Sequence, residues 1–171
     1  IELSIHARET GLDAISFTAP FYFKPANVDI LAQCCQEVAA AVPDMPFYYY
    51  HIPVLTGVSF PMIDLLNAVD ERIPNFAGIK YTHEDFMDFQ SCIHFRQGKY
   101  DMLWGRDENM LPALSLGSKG AVGSTYNYAA PLYHNLIQAF EQGDLELAQQ
   151  LQQKSIDMIR LLGKYGGIAT G

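Results

Sequence analysis

The stretch Phe76-Ala77-Gly78-Ile79-Lys80-Tyr81-Thr82 reads as a short apolar strand with a lysine near its end. Burying an ammonium is costly, so a lysine in that position is expected to have a charge partner or a lowered pKa. A lysine of lowered pKa is a nucleophile that can condense with a ketone to a Schiff base. Thirty residues upstream another strand ends in Tyr48-Tyr49-Tyr50, which offers a phenol for proton transfer. Side chains alternate across a strand, which puts Gly78, Lys80 and Thr82 on one face and Ala77, Ile79 and Tyr81 on the other. By the same alternation Tyr48 and Tyr50 share a face, so Tyr48 is the internal control for Tyr50.

Outward from that strand, helical and strand patterns alternate. Residues 1–10 have the pattern of the end of an amphipathic helix, stopped by Gly11. A strand over 14–20, a helix over 27–42, a strand over 46–52 and a helix over 61–72 with proline in its first turn follow. After the lysine strand come a helix over 84–96, a strand over 101–107, a short helix over 109–116 and a strand over 120–126. Helices over 131–142 and 145–163 close the chain. Five consecutive βα units predict an α/β fold with a parallel sheet covered on its faces. No Gly-rich phosphate fingerprint follows the first strand, which disfavours a dinucleotide-binding sheet. Tyr22 follows the first strand, Tyr50 and Lys80 end the second and third, Asp107 and Glu108 end the fourth, and Ser124 lies at the end of the fifth. A (β/α)8 TIM barrel keeps its active site at that end of its strands. Such a barrel needs eight strands and about 250 residues, whereas these 171 residues carry five strands. The expectation is one incomplete TIM-barrel domain over 1–171, lacking about three leading βα units and part of its C-terminal end. The opening inside a helix without a methionine, and the closing Gly166-Gly167-Ile168-Ala169-Thr170-Gly171, prompt that expectation.

The composition, 49% hydrophobic and 18% charged, is that of a globular domain with a real core. A formal net charge of −8 gives a nucleic-acid role no electrostatic support. No apolar run reaches the roughly 18 residues of a membrane span. No basic, apolar N-terminal segment suggests a signal peptide. Cys34, Cys35 and Cys92 have no metal-like spacing and fit a reducing, cytoplasmic setting. His6, His83, His94 and His134 show no ligand spacing either and are expected to be solvated.

Five motifs follow one another at compatible spacing: Tyr50-His51-Ile52-Pro53, Thr56-Gly57-Val58, Gly78-Ile79-Lys80-Tyr81-Thr82, Gly105-Arg106-Asp107-Glu108 and Gly123-Ser124-Thr125-Tyr126-Asn127. Together they resemble the pyruvate-dependent class I aldolase superfamily of dihydrodipicolinate synthase and N-acetylneuraminate lyase, over essentially the whole chain. The resemblance implies a (β/α)8 barrel, a homotetramer and no metal or organic cofactor. It implies that Lys80 forms the imine with pyruvate, that Tyr50 shuttles protons, and that Tyr22 reaches toward a neighbouring subunit's site. The family's Gly-Ser/Thr-Thr-Gly-Glu loop, which holds the pyruvate carboxylate, is absent from these residues, so the chain by itself is expected to be inactive. Synthases carry an arginine just after Tyr-x-x-Pro, where Val54 and Leu55 stand here. Lyases carry Gly-x-Asp-Glu, whose carboxylates and carbonyls accept from sugar hydroxyls, and Gly105, Asp107, Glu108, Gly123, Ser124 and Thr82 are the binding residues it implies. The reaction implied is reversible cleavage of N-acetylneuraminate to pyruvate and N-acetylmannosamine. The alternatives are another pyruvate-dependent aldolase of the same superfamily, either one acting on 2-keto-3-deoxy sugar acids or one like dihydrodipicolinate synthase, and a non-catalytic sugar-acid-binding barrel. His51 stands where asparagine is common, and Arg106 where an aromatic or apolar residue is expected.

Other readings of these residues stand beside the chemical ones. Lys80 could pair with a carboxylate at the rim. Tyr50 could simply pack in a strand rich in aromatic residues. Asp107 and Glu108 could cap the helix that follows them, a role compatible with binding. Ser124 and Thr125 could be strand-end hydroxyls.

Overall fold

The computed structural model describes residues 1–170. It divides into two compact units, residues 1–103 and the residues from Trp104 onward. The first runs α1 (Glu2–Glu9), β1 (Ile15–Thr18), α2 (Val28–Ala39), β2 (Phe47–His51), the single turn α3 (Pro53–Thr56), α4 (Met62–Val69), β3 (Phe76–Tyr81), α5 (Phe86–His94) and β4 (Asp101–Trp104), whose last residue opens the second unit. The second continues through a 3-10 turn (Asp107–Asn109), α6 (Met110–Ser115), β5 (Gly120–Ala121), α7 (Tyr126–Glu141) and α8 (Leu145–Lys164). The strand order is β1-β2-β3-β4-β5, and β1, β2 and β3 pair in parallel. This is the expected α/β class.

In the first unit the apolar side of the sheet is formed by Phe47, Tyr49, Ile79 and Tyr81, all buried. Three helices turn a buried stripe inward: Leu31, Ala32, Cys35 and Ala39 on α2, Met62, Leu65, Leu66 and Val69 on α4, Phe89 and Cys92 on α5. The i, i+3, i+4 spacing of these residues is why the segments are helical. Caps set where two of them start. Asn27 accepts from Ile30 N at 2.9 Å, and Asp85 from Asp88 N at 3.0 Å. Asn75 pins the approach to β2, donating its amide to the carbonyls of Ala39, Val42 and Met45 at 3.2, 3.1 and 2.9 Å.

The register of β2 on β3 shifts once. Phe47 lies opposite Phe76, but Tyr48 lies opposite Gly78. Ala77 is the extra residue, a bulge that precedes the run Tyr48–Gly78, Tyr49–Ile79, Tyr50–Lys80, His51–Tyr81. Gly78 is required at this point, because a Cβ there would overlap the carbonyl of Asp101. The face assignment from Gly78 onward agrees with the alternation read from sequence, while Phe76, ahead of the bulge, packs on Phe47 and Tyr100 at 6.0 and 5.3 Å.

The second unit corrects three boundaries. The strand expected over 101–107 ends at Trp104, and Asp107 and Glu108 lie beyond it in the 3-10 turn. The strand expected over 120–126 is only Gly120–Ala121. The chain leaves the ladder because Asp107 captures Thr125 N at 2.9 Å and its side chain fills the space beside Gly123. The helix expected from 131 starts at Tyr126 and is irregular at Ala129 (φ −120°, ψ 20°). Pro131 has no N–H to return to the previous turn, so the proline marks where the regular helix begins, not where helix begins at all. Beyond it, Tyr133, Leu136 and Ala139 of α7 share one cluster with Met110 of α6 and Ala148 and Leu151 of α8.

Asp88 is the polar anchor of the first unit. It is 5% exposed. Its carboxylate accepts from Met62 N and Ile63 N, the free N–H groups that open α4, at 2.8 and 3.0 Å, and from the Tyr81 hydroxyl at 2.8 Å. One side chain of α5 thus ties α4 to β3. Asp88→Ala is expected to cost about 3 kcal/mol, since three donors lose a buried acceptor, and Tyr81→Phe about 1 kcal/mol. Urea midpoints on the full-length protein at neutral pH measure both. Equal midpoints for the two variants would contradict the anchoring role.

Candidate active site

Thr18, Tyr50 and Lys80 form a row across β1, β2 and β3. Parallel strands in register put all three side chains on one face, at the C-terminal end of the sheet. Lys80 is half-buried, and its Nζ lies 4.0 Å from the centroid of the Tyr50 ring. A ring face attracts an ammonium without neutralising it. Among the described residues no carboxylate pairs with Lys80, so the carboxylate at the rim is replaced by a phenol. The Thr18 hydroxyl donates to the Tyr50 carbonyl at 3.1 Å and steadies the row from the other side.

Tyr48 shares the face but not the situation. Its hydroxyl donates to Asp101 Oδ2 at 3.2 Å. Burial, and next the Asp101 charge, push that phenol above its ordinary value. A phenol already serving a carboxylate is a poor proton shuttle. Thr82, two residues beyond Lys80, donates its N–H to His51 O at 2.8 Å. Its hydroxyl oxygen is buried and has no partner among the described residues.

Behind the row, on the helix side, is a histidine in an aromatic setting. His51 is 1% exposed, with Tyr81, His83 and Tyr49 rings 5.0, 5.6 and 6.3 Å from its own. His83, expected to be solvated, is therefore partly packed. Nδ1 of His51 has no hydrogen-bond partner among the described residues. Burial and then the neighbouring His83 bring its pKa down to about 3, against an opposing pull from Asp85.

Two loops complete this unit. Tyr22 is 82% exposed, and the ring it touches is that of Phe23, edge-on at 4.8 Å. Val54 and Leu55 are exposed on α3, with no cation in their sequence positions. The sequence reading missed Lys24, which arrives from the other loop and lays its ammonium against Gly57, just past α3.

In the second unit the residues of the Gly105–Glu108 turn have different surroundings. Asp107 is 5% exposed. Its Oδ2 accepts from Thr125 N at 2.9 Å and Thr125 Oγ1 at 2.5 Å, and Oδ1 lies against Gly123, where any Cβ would overlap it. Glu108 is half-buried and takes Arg106 Nη2 on Oε1 at 2.7 Å. Trp104 Nε1 donates to Arg106 O at 2.6 Å. Gly105 is half-buried and Ser124 is exposed. The carbonyl of Ser124 accepts from Asn127 Nδ2 at 3.0 Å. Neither acid is the N-cap of α6, a position that Asn109 takes. Thr125, which stands in the Gly123–Asn127 motif, serves this turn and not a strand end; Gln152, which donates to the Glu108 carbonyl, carries no signal in the sequence. Among the described residues no group of three or more His, Cys, Asp or Glu is placed to hold a metal, and no helix is long and apolar enough to cross a membrane.

The His51 environment makes a pH prediction. Below its ordinary 6.5 the unfolded chain gains a proton at this histidine, while the folded one does not until about 3. Stability is therefore lost as pH falls through that window, by up to about 1.4 kcal/mol per pH unit. His51→Phe should flatten the slope of urea midpoint against pH between 6.5 and 4 relative to the wild type. Parallel slopes would contradict a neutral buried histidine.

The family described as the dihydrodipicolinate synthetase family matches residues 1–169. The N-acetylneuraminate lyase of Homo sapiens is 46% identical over 166 residues, covering 95% of this chain and 52% of the human protein. The solved N-acetylneuraminate lyase of Proteus mirabilis superposes with a TM-score of 0.94 at 43% identity, covering 98% of this chain and 57% of that one. A catalytic-lysine mutant of the sialic acid aldolase of Ruminococcus gnavus superposes with a TM-score of 0.85 at 29% identity, over 93% of this chain and 51% of that one. The strand order and these neighbours give the fold class of the TIM-barrel aldolases. The chain spans about half the length of the curated relatives it matches.

Proposed function

The chain belongs to the dihydrodipicolinate synthetase family, and on that premise we propose that it serves the reversible cleavage of N-acetylneuraminate to pyruvate and N-acetylmannosamine. The observation that carries this reading is Lys80 Nζ, unpaired by any carboxylate among the described residues and 4.0 Å from the Tyr50 ring. The similarity to a sialic acid aldolase described by its catalytic lysine supports it.

The chemistry runs through these two side chains. The free amine of Lys80 adds to the C2 ketone, water leaves, and a protonated imine remains. Tyr50 takes the proton of the C4 hydroxyl, the C3–C4 bond breaks, and its electron pair flows into the iminium to give an enamine. N-acetylmannosamine leaves as the aldehyde. Protonation at C3 and hydrolysis of the imine then release pyruvate and free Lys80. Thr82, with its unpartnered buried hydroxyl, is assigned to the bound keto acid. Gly105, Glu108, Gly123 and Ser124 are assigned to the hydroxyls of the sugar, with Asp107 holding the turn that presents them. A homotetramer with Tyr22 at a subunit contact is supported by the exposure of Phe21, Tyr22 and Phe23, at 69, 82 and 84%. Three free cysteines support a cytoplasmic setting.

Lys24 favours a second reading. A cation beside Gly57 could serve the carboxylate of a short acidic aldehyde, the task that an arginine after Tyr-x-x-Pro performs in synthases. The two readings separate by kcat/KM on the full-length protein for N-acetylneuraminate, a shorter 2-keto-3-deoxy sugar acid, and pyruvate with aspartate semialdehyde. The lyase reading predicts N-acetylneuraminate ahead of the semialdehyde reaction by roughly a hundredfold, the effect of an anion left without a charged partner. Preference for the semialdehyde, reversed by Lys24→Ala, would establish the second reading. Preference for the shorter acid would keep the chemistry and change the substrate.

Tyr50→Phe should lower kcat by roughly 10²–10⁴ if the phenol moves the proton. Tyr48→Phe should leave kcat within about threefold, since that hydroxyl serves Asp101. The reverse ranking would sink the assignment of Tyr50.

A further inference from the structure

Glu108 is the half-buried acid of the 105–108 turn, less enclosed than Asp107. Arg106 donates to its Oε1. Where that carboxylate points depends on the backbone beneath it, and the backbone is held from a distance. Gln152 of α8 is 6% exposed. Its Nε2 donates to Glu108 O at 2.9 Å and to Asp107 O at 3.4 Å, and its Oε1 accepts from Leu111 N at 2.8 Å. One carboxamide thus straddles the turn, satisfying carbonyls that precede α6 and an N–H that opens it.

Three residues along the same face of α8, Ser155 is fully buried. Its hydroxyl reaches Asp107 O at 3.4 Å and the Tyr133 hydroxyl at 2.9 Å, and Tyr133 meets Thr125 Oγ1 at 2.6 Å. That chain fixes the Asp107 carboxylate, while Gln152 fixes the main chain of Glu108. A buried carboxamide is costly unless its donors and acceptor are met. Gln152 meets them on this single turn. Leucine would fill the space and hold nothing.

We propose that Gln152 is a positioning residue for Glu108, setting the direction of its carboxylate and through it the affinity for the polyol tail of a long sugar acid. The inference rests on the function proposed above. It differs from a packing role in a specific way. Loss of Gln152 should weaken recognition of the part of the substrate that Glu108 touches, and leave the imine chemistry at Lys80 alone.

The test is steady-state kinetics of full-length Gln152→Leu with N-acetylneuraminate and with a shorter 2-keto-3-deoxy sugar acid. KM for the long acid should rise about tenfold while kcat stays within about threefold, the signature of lost binding and not lost chemistry. KM for the short acid should change less than about threefold. Gln152→Glu, which keeps the acceptor for Leu111 and loses the donor to both carbonyls, covers the case in which the leucine variant does not accumulate. It should shift KM with the same sign and the same selectivity. Equal KM increases for both acids, or a fall in kcat for both at constant KM, would overturn the inference while the proposed function stands. A wild-type protein that does not cleave N-acetylneuraminate would overturn the proposed function, and this inference with it.

Discussion

Tyr50 and Lys80 meet because β2 and β3 pair in one register. Period-two alternation makes that register all-or-none: a slip of one residue would send one of the two side chains to the helix side of the sheet. Two local features fix it. The bulge at Ala77 resets the pairing ahead of the lysine. Gly78 lets the Asp101 carbonyl approach where no side chain fits. On the other side of the sheet, Tyr49, His51, Ile79 and Tyr81 are sealed under the helices. The apolar face and the face that carries Tyr50 and Lys80 are thus two consequences of one alternation, and Asp88 holds it in place by joining Tyr81 to the start of α4.

The second unit solves a different problem, how to present a carboxylate from an irregular turn. No ladder orders residues 105–109, so side chains do. Thr125 binds Asp107, Arg106 binds Glu108, and Gln152 binds the main chain between them. Buried polar groups of this kind are stabilising only when every partner is present. The close contact of Gly123 with Asp107 belongs to the same arrangement, since a larger residue would displace the carboxylate.

Much of this was legible in the sequence, and the parts that were not have physical reasons. Lys80 and Tyr50 stand out because both lie at strand ends, where alternation and position suffice. The helix start at Asn27 follows from residues next in sequence, while the helix expected from 84 begins only after the Asp85 cap. Gly120 to Tyr126 reads as strand throughout, yet β5 stops at Ala121, and what ends it is an acid eighteen residues before Thr125. The single turn α3 is too short for any periodicity. Asn75, Asp88 and Gln152 act through partners up to 45 residues away, and nothing in their neighbours advertises it. His51 was visible as a departure, but its burial among aromatic rings was not. Lys24 carries no signal of this kind, because it reaches Gly57 from a loop more than thirty positions earlier in the chain.

The proposed role of Lys80 as the nucleophile is open to direct measurement. Incubating the full-length protein with pyruvate and borohydride, then mapping modified peptides by mass, reads it directly. Reduction of the imine should add one pyruvate-derived group to the peptide containing Lys80, and Lys80→Arg should abolish it, since a guanidinium stays protonated. Label on Lys24, Lys99, Lys119 or Lys164 with Lys80 unmodified would contradict the account.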